Sequence, residues 1–219
     1  MRSFTISKHG FSTIGFFLIG ALISWFINQW LMLTFLCFAT FTAAFFRNPK
    51  RFPPQGEEVV VSPADGKVME VDEVIEPNFT NNKMKRVRIF LSLFNVHMNR
   101  MPIDGNIAGT SYLPGKYLLA WKDKVSDENE RNAILIDHYG SPFVVVQIAG
   151  FVARRIVSQV TEGQAVTKGD LFGMIKFGSC TELYLPMETV VKVKSGDKVK
   201  AGETILAEMP EKNKSTVKK

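Results

Sequence analysis

Cysteine is almost missing from this chain of 219 residues. Only Cys37, inside an apolar run, and Cys180, in a polar-flanked motif, occur, so a disulfide framework is excluded and a reducing compartment is the default. Zinc-finger spacing, a helix-turn-helix pattern, an arginine-rich helix and a basic stripe interleaved with aromatics are also absent. The formal charge of +6 therefore suits an anionic partner, but a phospholipid surface better than nucleic acid. A third absence is local: no charged residue falls between Ile14 and Phe46. The remaining length holds one ordinary domain, large enough for a core without staples.

The uncharged run is apolar or small throughout, with Asn28 and Gln29 its strongly polar interruption. At about 1.5 Å per residue a single helix of this length would reach about 50 Å, too long for a hydrocarbon core of about 30 Å, while each half falls slightly short of a span. The expectation is an N-terminal hydrophobic α-hairpin, re-entrant or two-pass, in residues 1–52. Arg2 and Lys8 precede it and Arg47, Lys50 and Arg51 follow, which places both ends on the cytoplasmic face of the cell membrane under the positive-inside rule. The run is longer than a signal-peptide core, and no small-residue cleavage site closes it.

After Pro53 and Pro54 the texture becomes short, β-branched and alternating. Residues 53–210 read as a β-rich domain and 211–219 as a basic, disordered tail. Val87, Ile89, Leu91 and Leu93 alternate with Arg86, Arg88, Phe90 and Ser92, which predicts a strand over Arg86–Leu93. Ala133–Ile136 and Phe143–Ile148 predict a hairpin with a longer loop, and Tyr117–Asp123 a helix. Residues 162–170 and 195–203 share the pattern x-G-x-x-V-x-x-G-[DE], each copy reading as two turns around a short strand. That pattern resembles the turns of biotinyl and lipoyl carrier domains, so the fold class is mainly β, a flattened β-sandwich/barrel hybrid. The carrier likeness brings a rival function, because Met174-Ile175-Lys176-Phe177 looks like a degraded biotinylation tip. Against it, Met does not flank Lys176 on both sides.

The chemistry concentrates in Phe172-Gly173-Met174-Ile175-Lys176-Phe177-Gly178-Ser179-Cys180. Alone, Gly-Ser is a common turn dipeptide. It occurs together with Ser62-Pro63-Ala64-Asp65-Gly66, Asn95-Val96-His97, Asn129-Glu130-Arg131, Phe46-Arg47-Asn48-Pro49 and Ile148-Ala149-Gly150-Phe151-Val152-Ala153-Arg154-Arg155. As a set these resemble the phosphatidylserine decarboxylase family, in its short form, from about Phe45 to about Ala207. The resemblance implies self-cleavage between Gly178 and Ser179. Ser179 Oγ attacks the Gly178 carbonyl, elimination leaves dehydroalanine, and hydrolysis releases ammonia and leaves a pyruvoyl group. It further implies that this cofactor, with no metal, forms a Schiff base with the serine headgroup and acts as the electron sink for decarboxylation.

Serine is a weak nucleophile that needs a base within hydrogen-bond reach, and a glycine before it tolerates strained backbone. Of the three histidines, His9 precedes the apolar run and His138 falls in the predicted hairpin loop, which leaves His97 as base and later general acid. Asp65 would orient the imidazole, although Asp65-Gly66 is also a favoured turn dipeptide. Longer members of the family carry two histidines three residues apart here, whereas Arg100 stands at the second position. Either one histidine serves both reactions, or Arg100 binds the substrate phosphate or carboxylate while another group acts as base. Arg154 and Arg155 are candidate contacts for phosphate or the lipid surface. The partners implied are phosphatidylserine, an anionic membrane surface and the chain's own large and small fragments, with a homo-oligomer left open and no nucleic acid.

Overall fold

The computed structural model describes residues 4–115, 129–150, 156–175 and 179–210. The segments expected to hold the Tyr117–Asp123 helix, Arg154, Arg155, Lys176, Gly178 and the 211–219 tail lie outside the described residues. The chain divides into two compact units, Met1–Lys50 with Leu93–His97, and Arg51–Ser92 with Met98–Lys219.

In the first unit, strand β1 (Phe4–Ile6) leads into helices α1 (Phe11–Trp25) and α2 (Gln29–Phe45) and then strand β2 (Arg47–Pro49), which pairs antiparallel with β1. The polar break ends one helix and starts the next: Asn28 is extended, and its Oδ1 accepts from the Trp30 and Leu31 amides at 2.8 and 3.3 Å. Such a cap satisfies donors that a helix start leaves orphaned. The helices approach closely where Gly20 faces the Phe35 ring, because a Cβ there would sit 2.7 Å from it. Phe17 stacks on Phe38 beside this contact, with centroids 5.4 Å apart. Large apolar side chains remain exposed along both helices and at the tip, among them Trp25, Phe26, Ile27 and Trp30. Among the described residues, no helix is long and apolar enough to cross a membrane.

The second unit is built almost wholly of strands: β3 (Val59–Val61), β4 (Gly66–Ile75), β5 (Lys83–Leu91), β6 (Met98–Arg100), β7 (Gly105–Leu113), β8 (Arg131–His138), β9 (Ser141–Ala149), β10 (Ile156–Ser158), β11 (Ala165–Val166), β12 (Leu171–Ile175), β13 (Ser179–Leu185), β14 (Val190–Val191), β15 (Lys198–Val199) and β16 (Ile205–Glu208). Eight of them form one curled half-barrel sheet in the order β11-β7-β8-β9-β13-β5-β4-β15. Two three-stranded sheets, β10-β12-β6 and β14-β16-β3, complete the unit. The mainly β expectation is met.

The two repeat copies occupy the two edges of the large sheet. In each, a two-residue strand lies between glycines at positive φ: Gly163 and Gly169 (82° and 87°) around β11, Gly196 and Gly202 (98° and 71°) around β15. Only glycine adopts such angles without strain, so the repeated spacing encodes the same two turns twice. β11 pairs with β7 and β15 with β4, which shortens both exposed edges to two residues of pairing.

Two local expectations are corrected. The β8–β9 connection is a tight turn rather than a longer loop: Tyr139 and Gly140 have φ of 50° and 85°, and Gly140 N–H donates to Asp137 Oδ1 at 2.9 Å. His138 is accordingly a buried strand residue, its Nδ1 2.7 Å from the Asp104 carbonyl, not an exposed loop residue. β5 alternates with Val87, Ile89 and Leu91 in the main core, but it ends at Leu91 rather than at the expected Leu93, which is exposed. Arg88 is buried and donates to Glu182 of β13 at 2.8 Å, and Arg86 meets Asp72 of β4 at 2.6 Å.

Candidate active site

Ser179 is the first residue of β13, a central strand paired on both sides: Ser179 stands opposite Leu91 of β5 and Ala149 of β9. The preceding described residue is Ile175, the end of β12 in a different sheet. Side chains alternate along β13, with Leu183 and Leu185 in the main core and Cys180 and Tyr184 in a second cluster on the opposite face. Ser179 is buried, and among the described residues its Oγ has no hydrogen-bond partner. A buried hydroxyl left without a partner costs about 1–3 kcal/mol. Cys180, wholly buried on the other face, has its thiol pushed far up by burial and then by Glu182, so it stays a neutral filler.

His97 is fully buried, stacked on Phe45 with ring centroids 4.2 Å apart. Its Nδ1 lies 3.0 Å from the Asn95 carbonyl oxygen, a group that can only accept. Nδ1 therefore carries the proton, and Nε2 keeps a free lone pair with no partner among the described residues. Burial lowers its pKa from 6.5 to about 4, against a smaller opposing effect of the Asn95 bond, with nearby Arg47 also lowering it. The ring is thus held neutral in the tautomer a general base needs. Arg47 itself donates to the Ala44 and Phe94 carbonyls at 2.6 and 2.7 Å, fixing the loop before His97 to the end of α2.

Asp65 closes the turn between β3 and β4. Both its oxygens accept from Arg51 Nη2, at 2.9 and 2.7 Å, and Oδ1 also accepts from the Ala201 amide at 2.8 Å. Arg51 reaches Glu203 as well, at 3.3 Å. Gly66 is required next to it, since a Cβ would lie 2.2 Å from the Phe90 carbonyl. Arg100 ends β6 and donates to the Gly169 carbonyl at 2.7 Å; burial, then the neighbouring Arg51, lowers its pKa. Asp65 and Arg100 are thus gathered around Arg51, while the partner that sets the His97 tautomer is Asn95.

One set of residues escaped the sequence reading. Asn99, Gln147, Thr181 and Asn132 are buried polar side chains in the second unit, joined by hydrogen bonds. A signal existed: Gln147 interrupts the apolar run Phe143–Ala149 at a core-facing position of β9. Among the described residues, no group of His, Cys, Asp or Glu is placed to hold a metal ion.

Residues 38–207 match the family described as phosphatidylserine decarboxylase. The chain is 46% identical over 195 residues to the phosphatidylserine decarboxylase proenzyme of Syntrophus aciditrophicus, covering 88% of this chain and 92% of the relative. It is 41% identical over 212 residues to that of Symbiobacterium thermophilum, 96% and 99% of the two chains, and 50% identical over 182 residues to that of Carboxydothermus hydrogenoformans, 82% and 85%. With the match spanning most of the chain and including the strand that opens on Ser179, the protein belongs to the phosphatidylserine decarboxylase family.

Proposed function

We propose that this chain is a self-processing decarboxylase that converts phosphatidylserine to phosphatidylethanolamine and carbon dioxide in phospholipid biosynthesis, using a pyruvoyl group made from Ser179. The observation that carries the reading is the buried Ser179 Oγ, unpartnered among the described residues, at the first position of β13 in a chain of this family. Among the described residues no group competes for the hydroxyl, and an α-keto group needs no donor of its own there, so the described residues fit the group.

In self-cleavage, Ser179 Oγ gives up its proton to a base and attacks the carbonyl of residue 178, and the peptide nitrogen leaves as the acyl group moves to oxygen. Elimination returns the carboxylate to residue 178, and water then replaces the nitrogen of residue 179, which departs as ammonia. The fragments would be residues 1–178 and a smaller one of 41 residues (219 − 178). His97 is the base for which the tautomer argues, its Nε2 lone pair being available at neutral pH. Once formed, the pyruvoyl group supplies an electron sink for loss of carbon dioxide from an amino-acid headgroup. His97 then returns a proton to the headgroup carbon. Asp65, fixed by Arg51, sets local charge, and Arg100 together with Arg154 and Arg155 are the candidate contacts for substrate phosphate or carboxylate.

The helical hairpin supports attachment to the membrane in which the acyl chains stay. Its arms of 15 and 17 residues reach about 22 and 25 Å, short of a hydrocarbon core of about 30 Å, which favours re-entrant insertion from the cytoplasmic face. Intact-mass measurement tests the central reading: the purified protein is expected as two fragments, the smaller one reactive with hydrazine, and Ser179→Ala as one inactive chain. Two fragments from Ser179→Ala would refute it.

A further inference from the structure

The buried amides of the second unit form a chain whose direction can be worked out. Asn99 Nδ2 lies 3.3 Å from the Pro63 carbonyl oxygen and 3.4 Å from Thr181 Oγ1. Gln147 Nε2 donates to Asn99 Oδ1 at 2.9 Å, and Asn132 Nδ2 donates to Gln147 Oε1 at 3.0 Å. A carbonyl only accepts, so the Asn99 nitrogen must face Pro63. That places the Asn99 oxygen toward Gln147, which must present its nitrogen, and the Gln147 oxygen toward Asn132. A single acceptor-only group thereby fixes all three side-chain amides.

The three segments joined at Asn99 are those that carry the proposed machinery. Pro63 lies two residues before Asp65, Asn99 two residues after His97, and Thr181 two residues after Ser179 on the same strand face. Asn99, Gln147 and Thr181 are each fully buried, so every unpaired polar atom here would carry a large penalty and the network holds one arrangement. Gly173 of β12 makes room for it, because a Cβ there would meet Gln147 Nε2 at 3.0 Å and the Val157 carbonyl at 2.3 Å.

We propose that Asn99 is a positioning residue whose amide, locked by Gln147 and Asn132, holds the Asp65 turn, the strand following His97 and the strand opening on Ser179 in one register for self-cleavage and decarboxylation. It rests on the reading of Ser179 as the cleaved residue and acts through its neighbours rather than on substrate.

The test uses the full chain in phosphatidylserine-containing micelles, following fragment formation by mass and turnover by carbon dioxide release. Asn99→Leu removes donor and acceptor together, and a misplacement of this kind is expected to slow cleavage and kcat by about 10²-fold with KM changed by less than about twofold. Asn99→Asp is the informative variant. Its carboxyl reproduces the pattern only when protonated, giving O–H to Pro63 and accepting from Gln147, and the groups facing it (Pro63 carbonyl, Thr181 hydroxyl, Gln147 amide) do not titrate. Its cleavage rate is expected to rise by about tenfold between about pH 8 and about pH 6, where the parent shows no such rise. If Asn99→Leu fails to fold, the Asn99→Asp profile decides alone. Cleavage and turnover of Asn99→Leu within about twofold of the parent, or a parental pH profile for Asn99→Asp, overturns the proposal. Splitting of Ser179→Ala would instead overturn the underlying assignment, whatever Asn99 variants do.

Discussion

The buried imidazole of His97 ties stability to pH with a sign opposite to that of a histidine in an ion pair. In the folded chain it takes up a proton only near pH 4, because burial disfavours the cation; in the unfolded chain it does so near 6.5. Between those values the unfolded state binds more protons, so stability is full above about pH 6.5 and falls as pH drops toward 4. From RT ln[(1 + 10^(6.5 − pH))/(1 + 10^(4 − pH))], the loss at pH 5 is about 2 kcal/mol, approaching about 3 kcal/mol below pH 4. The assay is urea unfolding of the uncut Ser179→Ala chain at about pH 7 and about pH 5, alone and with His97→Gln, whose side chain does not titrate. The His97 chain is expected to lose about 2 kcal/mol more than the glutamine variant over that interval. The same tautomer predicts that wild-type self-cleavage does not fall with a midpoint near 6.5, since the base remains neutral well below it. Equal pH dependence in the two chains would refute the account of His97 as a desolvated, neutral imidazole.

Arg51→Met takes from the buried Asp65 carboxylate its ion-pair partner at 2.7 Å, leaving the Ala201 amide as its hydrogen-bond donor among the described residues, and is expected to cost about 3 kcal/mol in urea unfolding, most of it recovered by adding Asp65→Asn. At the hairpin tip, where Phe26 and Trp30 are 83% and 71% exposed, Phe26→Glu and Trp30→Glu should each weaken binding to phospholipid vesicles by about 2 kcal/mol in cosedimentation, with folding of the β unit unchanged.

What the sequence could reveal was whatever is encoded locally. The uncharged run from Ile14 to Phe46 with Asn28 at its middle predicted two helices, and Asn28 does cap the second. The glycine spacing in residues 162–170 and 195–203 predicted turn, strand, turn in both copies, because positive φ leaves few alternatives to glycine. The strand of β5 was legible from its alternation, and the family from its motifs. Burial of Arg88 and of His138 was not, since each depends on a distant partner: Glu182 lies ninety-four residues from Arg88, and Asp104 thirty-four from His138. The Asn99 network was hidden for the same reason. Its members lie on β6, β8, β9 and β13 and on the turn before β4, and only the completed sheet order brings them together. Asp65 illustrates an intermediate case, visible as a polar residue at a turn but with its Arg51 and Ala201 partners invisible from its neighbours.

The position of Ser179 would allow the proposed break before it to be made in a folded domain without undoing that domain. A break before residue 179 would turn β13 from an internal strand into the N-terminus of a separate chain, yet every one of its seven residues is buried and it is paired on both sides, with β5 and with β9. Two further strands beyond β13 are woven in the same way. β15 pairs with β4, and β16 with β3, while Leu183, Leu185, Val199 and Leu206 belong to the same core as Val87, Ile89 and Phe143. Separating the fragments would strip several large side chains from water-free surroundings, at about 1.5–3 kcal/mol each, besides the ladders of four strand pairs. A cut at the proposed position, just ahead of a strand paired on both sides, would cost one covalent bond and leave these contacts in place.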